Sequence, residues 1–147
     1  MKYTDENRGL IQNRERARQI IAFDGLRMKR RITPTDIDGF FEYGDKVFVF
    51  YELKHGDAQP PKGQLLALKR IVKAINESGR KAVLFVCSHQ VDDTDKDIDA
   101  ASSIVTSVYY DKKYDGDGRT AKRFTLDFLK FALGDEAEMV ILDDDAS

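Results

Sequence analysis

The chain reads as an α/β protein, with a mixed central β-sheet flanked by helices. Three observations predict this. Short apolar runs are bounded by turn residues, amphipathic helical segments lie between them, and one strand–helix–strand succession implies a parallel pair. The expected order is helix, β-hairpin, helix, strand, strand, helix. It forms a single domain over residues 1–147 with its core at about 6–133.

Residues 6–23 place Leu10, Ala17 and Ile21 at helical spacing with Ile20 beside them, while Arg14, Arg16 and Arg18 keep the rest polar. Asp5 is the expected N-cap and Gly25 the end. RMKRRITPT then reads as a basic connector or a short strand. DIDGFFEY and VFVFYELK flank Gly44-Asp45-Lys46, the pattern of a β-hairpin. HGDAQPPKG holds two prolines and two glycines and must be a loop. Residues 63–78 predict an amphipathic helix whose buried stripe is Leu65, Leu68, Ile71, Val72 and Ile75. Lys81–Cys87 reads as a buried strand, and DDTDKDID as an acidic loop. SIVTSVYY is a further strand, DGDG a turn, and residues 120–133 a closing helix. MVIL is expected to add a short strand before the acidic tail, residues 143–147.

Composition narrows the function classes. The 147 residues carry 24 Lys and Arg against 26 Asp and Glu, so the net charge of −2 announces no nucleic-acid partner. The balance is uneven, because residues 1–70 hold 14 basic and 10 acidic groups and so leave room for a basic face. One cysteine, Cys87, excludes an intramolecular disulfide, and with only two histidines a Cys/His zinc site is excluded too. Cys87 reads as a small buried hydrophobe. No apolar run reaches the ~18–20 residues of a membrane span. The opening MKYTDENRGL has neither signal- nor transit-peptide character, which makes the cytoplasm the expected location, a host's if the protein is viral. The phosphate-loop pattern Gly-x-x-x-x-Gly-Lys-Ser/Thr is missing, so ATP is not implied.

The chemistry concentrates in Pro34-Thr35-Asp36-Ile37-Asp38-Gly39 and Tyr51-Glu52-Leu53-Lys54. In Val47–Lys54 both faces are apolar until the end, where Glu52 and Lys54 share the face of Phe48 and Phe50. Charges ending a strand buried on both faces need partners. If Gly44-Asp45-Lys46 is a three-residue loop, paired residues sum to 90. Phe40 then faces Phe50, Asp38 faces Glu52 and Asp36 faces Lys54. Two carboxylates and one ammonium come to one sheet face, with opposed Cβ atoms about 4.5–5.5 Å apart. Adjacent carboxylates repel, and a divalent cation is the natural third party. A two-residue turn would send Asp38 to the other face.

This constellation resembles the PD-(D/E)xK nuclease superfamily, in which an acidic residue, a hairpin turn and Glu-x-Lys follow one another. Asp38, Glu52 and Lys54 match that pattern over about residues 6–90. The chain departs from it in that Pro34 is followed by Thr35 rather than Asp, so both Asp36 and Asp38 could take the acidic position, and Asp38 is preferred because it opposes Glu52 in the register above. The resemblance implies a restriction-endonuclease-like core and metal-dependent phosphodiester hydrolysis, leaving a 5′-phosphate and a 3′-hydroxyl. Asp38, Glu52 and the Leu53 backbone carbonyl would hold Mg²⁺ or Mn²⁺. Lys54 would orient water or neutralise the phosphate, and Gln64, opening the next helix, would position water or a phosphate oxygen. Glu15 matches the family's helical Glu ahead of the hairpin, with Glu6 second. Arg27, Lys29, Arg30, Arg31 and Lys62 are candidates for backbone phosphates. The resemblance favours DNA over RNA and a homodimer, and family habit suggests a phage or prokaryotic source.

Rival readings attach to the same residues. Asp38, Glu52 and Lys54 could form a structural ion-pair cluster, and the fold could bind nucleic acid or a protein without catalysis. His55 follows Lys54 but alternates to the other face. DIDGF imitates the Asp-x-Asp-Gly of haloacid dehalogenase-like phosphatases, yet a basic segment feeds it where that chemistry wants an apolar strand. The loop from Asp93 imitates a calcium loop and fails, because Ile98 stands at the glycine position and Ile104 at the bidentate glutamate position.

Overall fold

The structure, a computed structural model, describes residues 13–17 and 22–145. The chain divides into two compact units, Met1–Asp36 and Ile37–Ser147. In the first, α1 spans Arg14–Ala17, and the Asn13 side chain accepts from the Arg16 N–H at 3.2 Å. Of the helix expected over 6–23, residues 6–12 and 18–21 lie outside the described residues, as does Asp5, while Ala22 and Phe23 are not helical. The basic connector is no strand. It holds a single turn of 3₁₀ helix at Lys29–Arg31, with Arg30 and Arg31 at φ +62°, and another such turn, Asp24–Leu26, precedes it.

The second unit is an α/β sandwich. Strands β1 (Gly39–Tyr43), β2 (Val47–His55), β3 (Lys81–His89), β4 (Ile104–Tyr109) and β5 (Lys113–Asp115) lie side by side in chain order. Only β2 and β3 are parallel, joined through helix α2 (Lys62–Glu77), and the other neighbours are antiparallel. Helix α3 (Ala121–Leu133) follows the last strand. The Thr120 hydroxyl caps it by accepting from the Arg123 N–H at 3.2 Å.

Alternation along β2 and β3 divides the apolar residues between two layers. Phe50, Leu84 and Val86 pack with Leu68 and Val72 of α2. Val47, Val49, Val83 and Phe85 pack with Ala121 and Leu129 of α3. Ile71, expected in the α2 stripe, is 38% exposed, because Leu68, Val72 and the half-buried Leu65 and Ile75 already cover that side of the sheet. The far end of α2 is tied down by Asn76, whose side chain accepts from the Ala82 N–H at 2.7 Å and donates to its carbonyl at 3.1 Å.

Two details differ from expectation at the C-terminal end. MVIL is not a strand: Gly134–Met139 is 3₁₀-helical, and the N–H groups of Val140 and Ile141 both donate to the Ala137 carbonyl. Ala137 and Ile141, four residues apart, are the buried pair, so the period there is helical. The short β5 comes with the turn after β4. Its Gly116 is required by close approach, since a Cβ there would stand 1.9 Å from the Val105 carbonyl oxygen.

Cys87 is buried among the residues facing α3, and burial pushes its thiol up to about 11. Below pH about 9 folded and unfolded chains both keep the proton. Above that the unfolded thiol ionises first, so this contribution to stability is lost as pH rises from about 9 to about 11. Thermal melts across that window should fall less steeply for Cys87→Ala than for the parent. Identical slopes would remove Cys87 as the cause.

Candidate active site

The turn between β1 and β2 sets everything that follows. Gly44 and Asp45 take φ +56° and +58°, and the Lys46 N–H closes the turn onto the Tyr43 carbonyl at 2.9 Å. Arg80 grips the Asp45 carboxylate at 2.6 and 2.8 Å, and Lys46 Nζ meets Glu136 at 2.7 Å. The resulting pairs are Tyr43 with Val47, Phe40 with Phe50 and Gly39 with Tyr51, the register of a three-residue loop.

That register would next oppose Asp38 to Glu52, but β1 begins at Gly39 and Asp38 lies in a bend before it. The next ladder donor, the Leu53 N–H, is taken instead by Asp38 Oδ2 at 2.8 Å. A charge-assisted bond thus replaces a rung of the ladder. In a strand a residue's N–H and C=O point toward the same neighbour, so the Leu53 carbonyl opens to the same edge as the Asp38 carboxylate. Asp38 therefore sits at the sheet edge beside Leu53. It lines a cavity of about 310 Å³ with Tyr51 and Leu53, on the α3 side. The expectation that Asp38 would share a face with Glu52 is corrected by this bond.

Glu52 projects to the α2 side with Phe48 and Phe50 and is 0% exposed. Lys54 Nζ, two residues on, stands 3.8 Å from Glu52 Oε2 with its own side chain 25% exposed. That separation is an ion pair rather than a hydrogen bond. A fully buried carboxylate is costly unless paired, and Lys54 supplies the charge while reaching toward solvent.

The remaining candidates fall into three groups. Gln64 is the third residue of α2 and is half-buried, and Lys62 opens that helix and is exposed. Glu15 on α1, the 3₁₀-turn residues Lys29, Arg30 and Arg31, and Arg27 are exposed residues of the first unit, as is Asp36. His55, at the end of β2, pairs through Nε2 with Asp92 at 2.7 Å, and its ring lies 5.5 Å from that of His89 on β3.

Sequence reasoning missed the floor of the Asp38 cavity. The Thr125 hydroxyl donates to the Ala121 carbonyl at 2.7 Å, so the Tyr51 hydroxyl donates to Thr125, also at 2.7 Å. Burial pushes the Tyr51 phenol up. The available signal was a tyrosine on the apolar side of a buried strand, where a hydroxyl needs a partner.

Asp38, Glu52 and the Leu53 carbonyl fit a hard divalent cation in kind. All are oxygen donors at the end of one β-ladder, and such ions complete their shell with water. Among the described residues no group of three or more His, Cys, Asp or Glu is gathered for a metal. Two carboxylates are all the expected set contains. No family model, curated protein or solved structure matches the chain, so the reading of this site rests on its own geometry.

Proposed function

We propose that the chain is a metal-dependent nuclease built on a restriction-endonuclease-like core, acting on DNA in preference to RNA. The observation that carries the reading is the fully buried Glu52 carboxylate two residues before a partly exposed Lys54, on a strand otherwise apolar on both faces. Glu52 and the Leu53 carbonyl would hold Mg²⁺ or Mn²⁺, and Asp38 would join them only by turning its carboxylate from the Leu53 N–H toward the face of Glu52; the ion when bound supplies a Lewis acid and an acidified water. Lys54 has its ammonium between the buried carboxylate and solvent, where it can pair with a phosphate oxygen and stabilise the charge that develops there. Gln64, at the start of α2, can orient the attacking water. Water adds to phosphorus and the P–O3′ bond breaks, leaving a 5′-phosphate and a 3′-hydroxyl.

The test is cleavage of circular single-stranded, circular double-stranded and four-way-junction DNA, and of RNA, with Mn²⁺, Mg²⁺ or EDTA. Cutting by the parent should need metal and should fall about 100-fold or more in Lys54→Ala. Cutting unaffected by EDTA, or retained in Lys54→Ala, would refute the assignment. A second reading, a nuclease fold without catalysis, draws on Asp38, whose carboxylate is already committed to the Leu53 N–H. It gains if the parent binds DNA and metal yet cuts nothing.

A further inference from the structure

A cavity of about 680 Å³ in the second unit lies away from the candidate active site between α2 and the turn joining β4 to β5. Its walls carry five cations: Lys69, Arg70 and Lys73 from α2, and Lys112 and Lys113 from the turn and β5. Among the described residues two carboxylates join them. Glu77 is paired with Lys73 at 3.8 Å, and Asp111 accepts from the Tyr114 hydroxyl at 2.7 Å. A chain of net charge −2 thus concentrates an excess of three positive charges in one groove. Two of the ammonium groups also lie over aromatic faces. Lys69 lies 5.2 Å from the ring centroid of Tyr109, and Lys112 lies 5.3 Å from that of Tyr114. Such contacts position a cation and leave its charge available.

The groove also has a direction. Lys62, Leu66, Lys69 and Arg70, Lys73 and Glu77 follow one another at helical spacing along a single face of α2. That face starts at the end of the helix that carries Gln64 and runs along the groove. It lies on the side of the sheet toward which Glu52 and Lys54 project. From Leu66 to Glu77 the helix covers about 16 Å, the span of about five phosphates along one strand of a duplex. Within the groove Tyr109 is buried under Lys69, and the Tyr110 ring packs with Phe128 and Phe131. Neither ring is offered as a stacking platform for unpaired bases.

We infer that this groove binds the sugar–phosphate backbone of duplex DNA and sets the path along which the duplex lies on α2. The inference rests on the nuclease reading for its choice of DNA, and it adds a contact surface that the chemistry at Glu52 does not require. It is tested by binding alone, in EDTA, so that cleavage plays no part. A fluorescent 20-base-pair duplex is titrated from 50 to 200 mM salt with the parent, with Lys69→Gln/Arg70→Gln/Lys73→Gln and with Lys112→Gln/Lys113→Gln. A control, Lys96→Gln/Lys130→Gln, removes two exposed charges outside the groove. All four proteins are checked by thermal melting.

The α2 variant should bind the duplex at least about 10-fold more weakly, and the slope of log affinity against log salt should flatten by about three. The Lys112/Lys113 variant should flatten it by about two, and the control should match the parent. Parent-like affinity and slope in both groove variants overturn the proposal. So does an effect confined to single-stranded DNA or to anionic vesicles, or a parent that binds no duplex at 50 mM salt. Loss of duplex binding in a protein that never cuts would leave the groove standing and the nuclease reading refuted. Cutting with groove variants that bind normally would do the reverse.

Discussion

Glu52→Gln loses metal-dependent cleavage by about 10³-fold while its melting temperature holds or rises. The two readouts together separate a catalytic carboxylate from a structural one. Glutamine keeps the volume and planar shape of glutamate, so packing against the α2 layer is preserved. A neutral amide is also less costly to bury than a carboxylate that is 0% exposed. The partner left behind, Lys54, is not sealed in the core, because its side chain is 25% exposed and can turn its ammonium to water. Breaking a pair in which both charges are buried costs about 3–5 kcal/mol, and a fall of that size would mark Glu52 as a structural half of an ion pair. Unchanged cleavage in a folded Glu52→Gln protein would remove it from the site altogether. Calorimetric titration with Mn²⁺ gives the third reading, since heat present in the parent should vanish with the carboxylate.

Phe85→Ala should lower stability by about 3–5 kcal/mol, a large share of the roughly 5–15 kcal/mol that holds a domain folded. Phe85 is 1% exposed at the middle of β3. Its ring lies 6.0 Å from that of Tyr51 and 5.5 Å from that of Phe124, so it joins β2, β3 and α3. Truncation leaves a void bounded by three elements that cannot all move in to fill it. At roughly 2–4 °C per kcal/mol for a chain of this order of size, the melting temperature should drop by roughly 6–20 °C. Phe40→Ala is the control, because Phe40 is 55% exposed on the edge strand. A loss below about 1 kcal/mol for Phe85→Ala would mean that α3 does not close that face.

How much of this was legible in the sequence depended on whether a local rule or a neighbour decided each element. The hairpin register followed from Gly44-Asp45-Lys46, because loop length fixes parity and parity fixes which residues oppose one another. The parallel pairing of β2 and β3 followed from the helix between them. Where β1 begins did not follow. An aspartate side chain competes with the backbone for N–H groups, and Asp38 takes the Leu53 donor that a continuing strand would have used. The same bond moved Asp38 off the face expected for it. The polar Lys113–Asp115 is a strand only because β4 lies beside it. MVIL misled because a run of four apolar residues carries no readable period. The groove cations on α2 read as an ordinary solvated helix face, and only the turn after β4 makes them one wall of a cavity.

The chain-order sheet bears on how this protein is made. Each strand is synthesised directly after the one it lies beside, so β1 to β5 can pair as they emerge, with little rearrangement. Helix α2 also arrives early, between the two strands it covers. The other face has to wait. Val47, Val49, Val83, Phe85 and Val105 are covered from residues 121–141, which follow all five strands in the sequence. Until the ribosome releases that stretch, the nascent sheet presents a greasy, uncovered surface. Premature termination before Ala121 would leave that surface bare, and truncated products should be sticky clients for chaperones and proteases rather than soluble fragments.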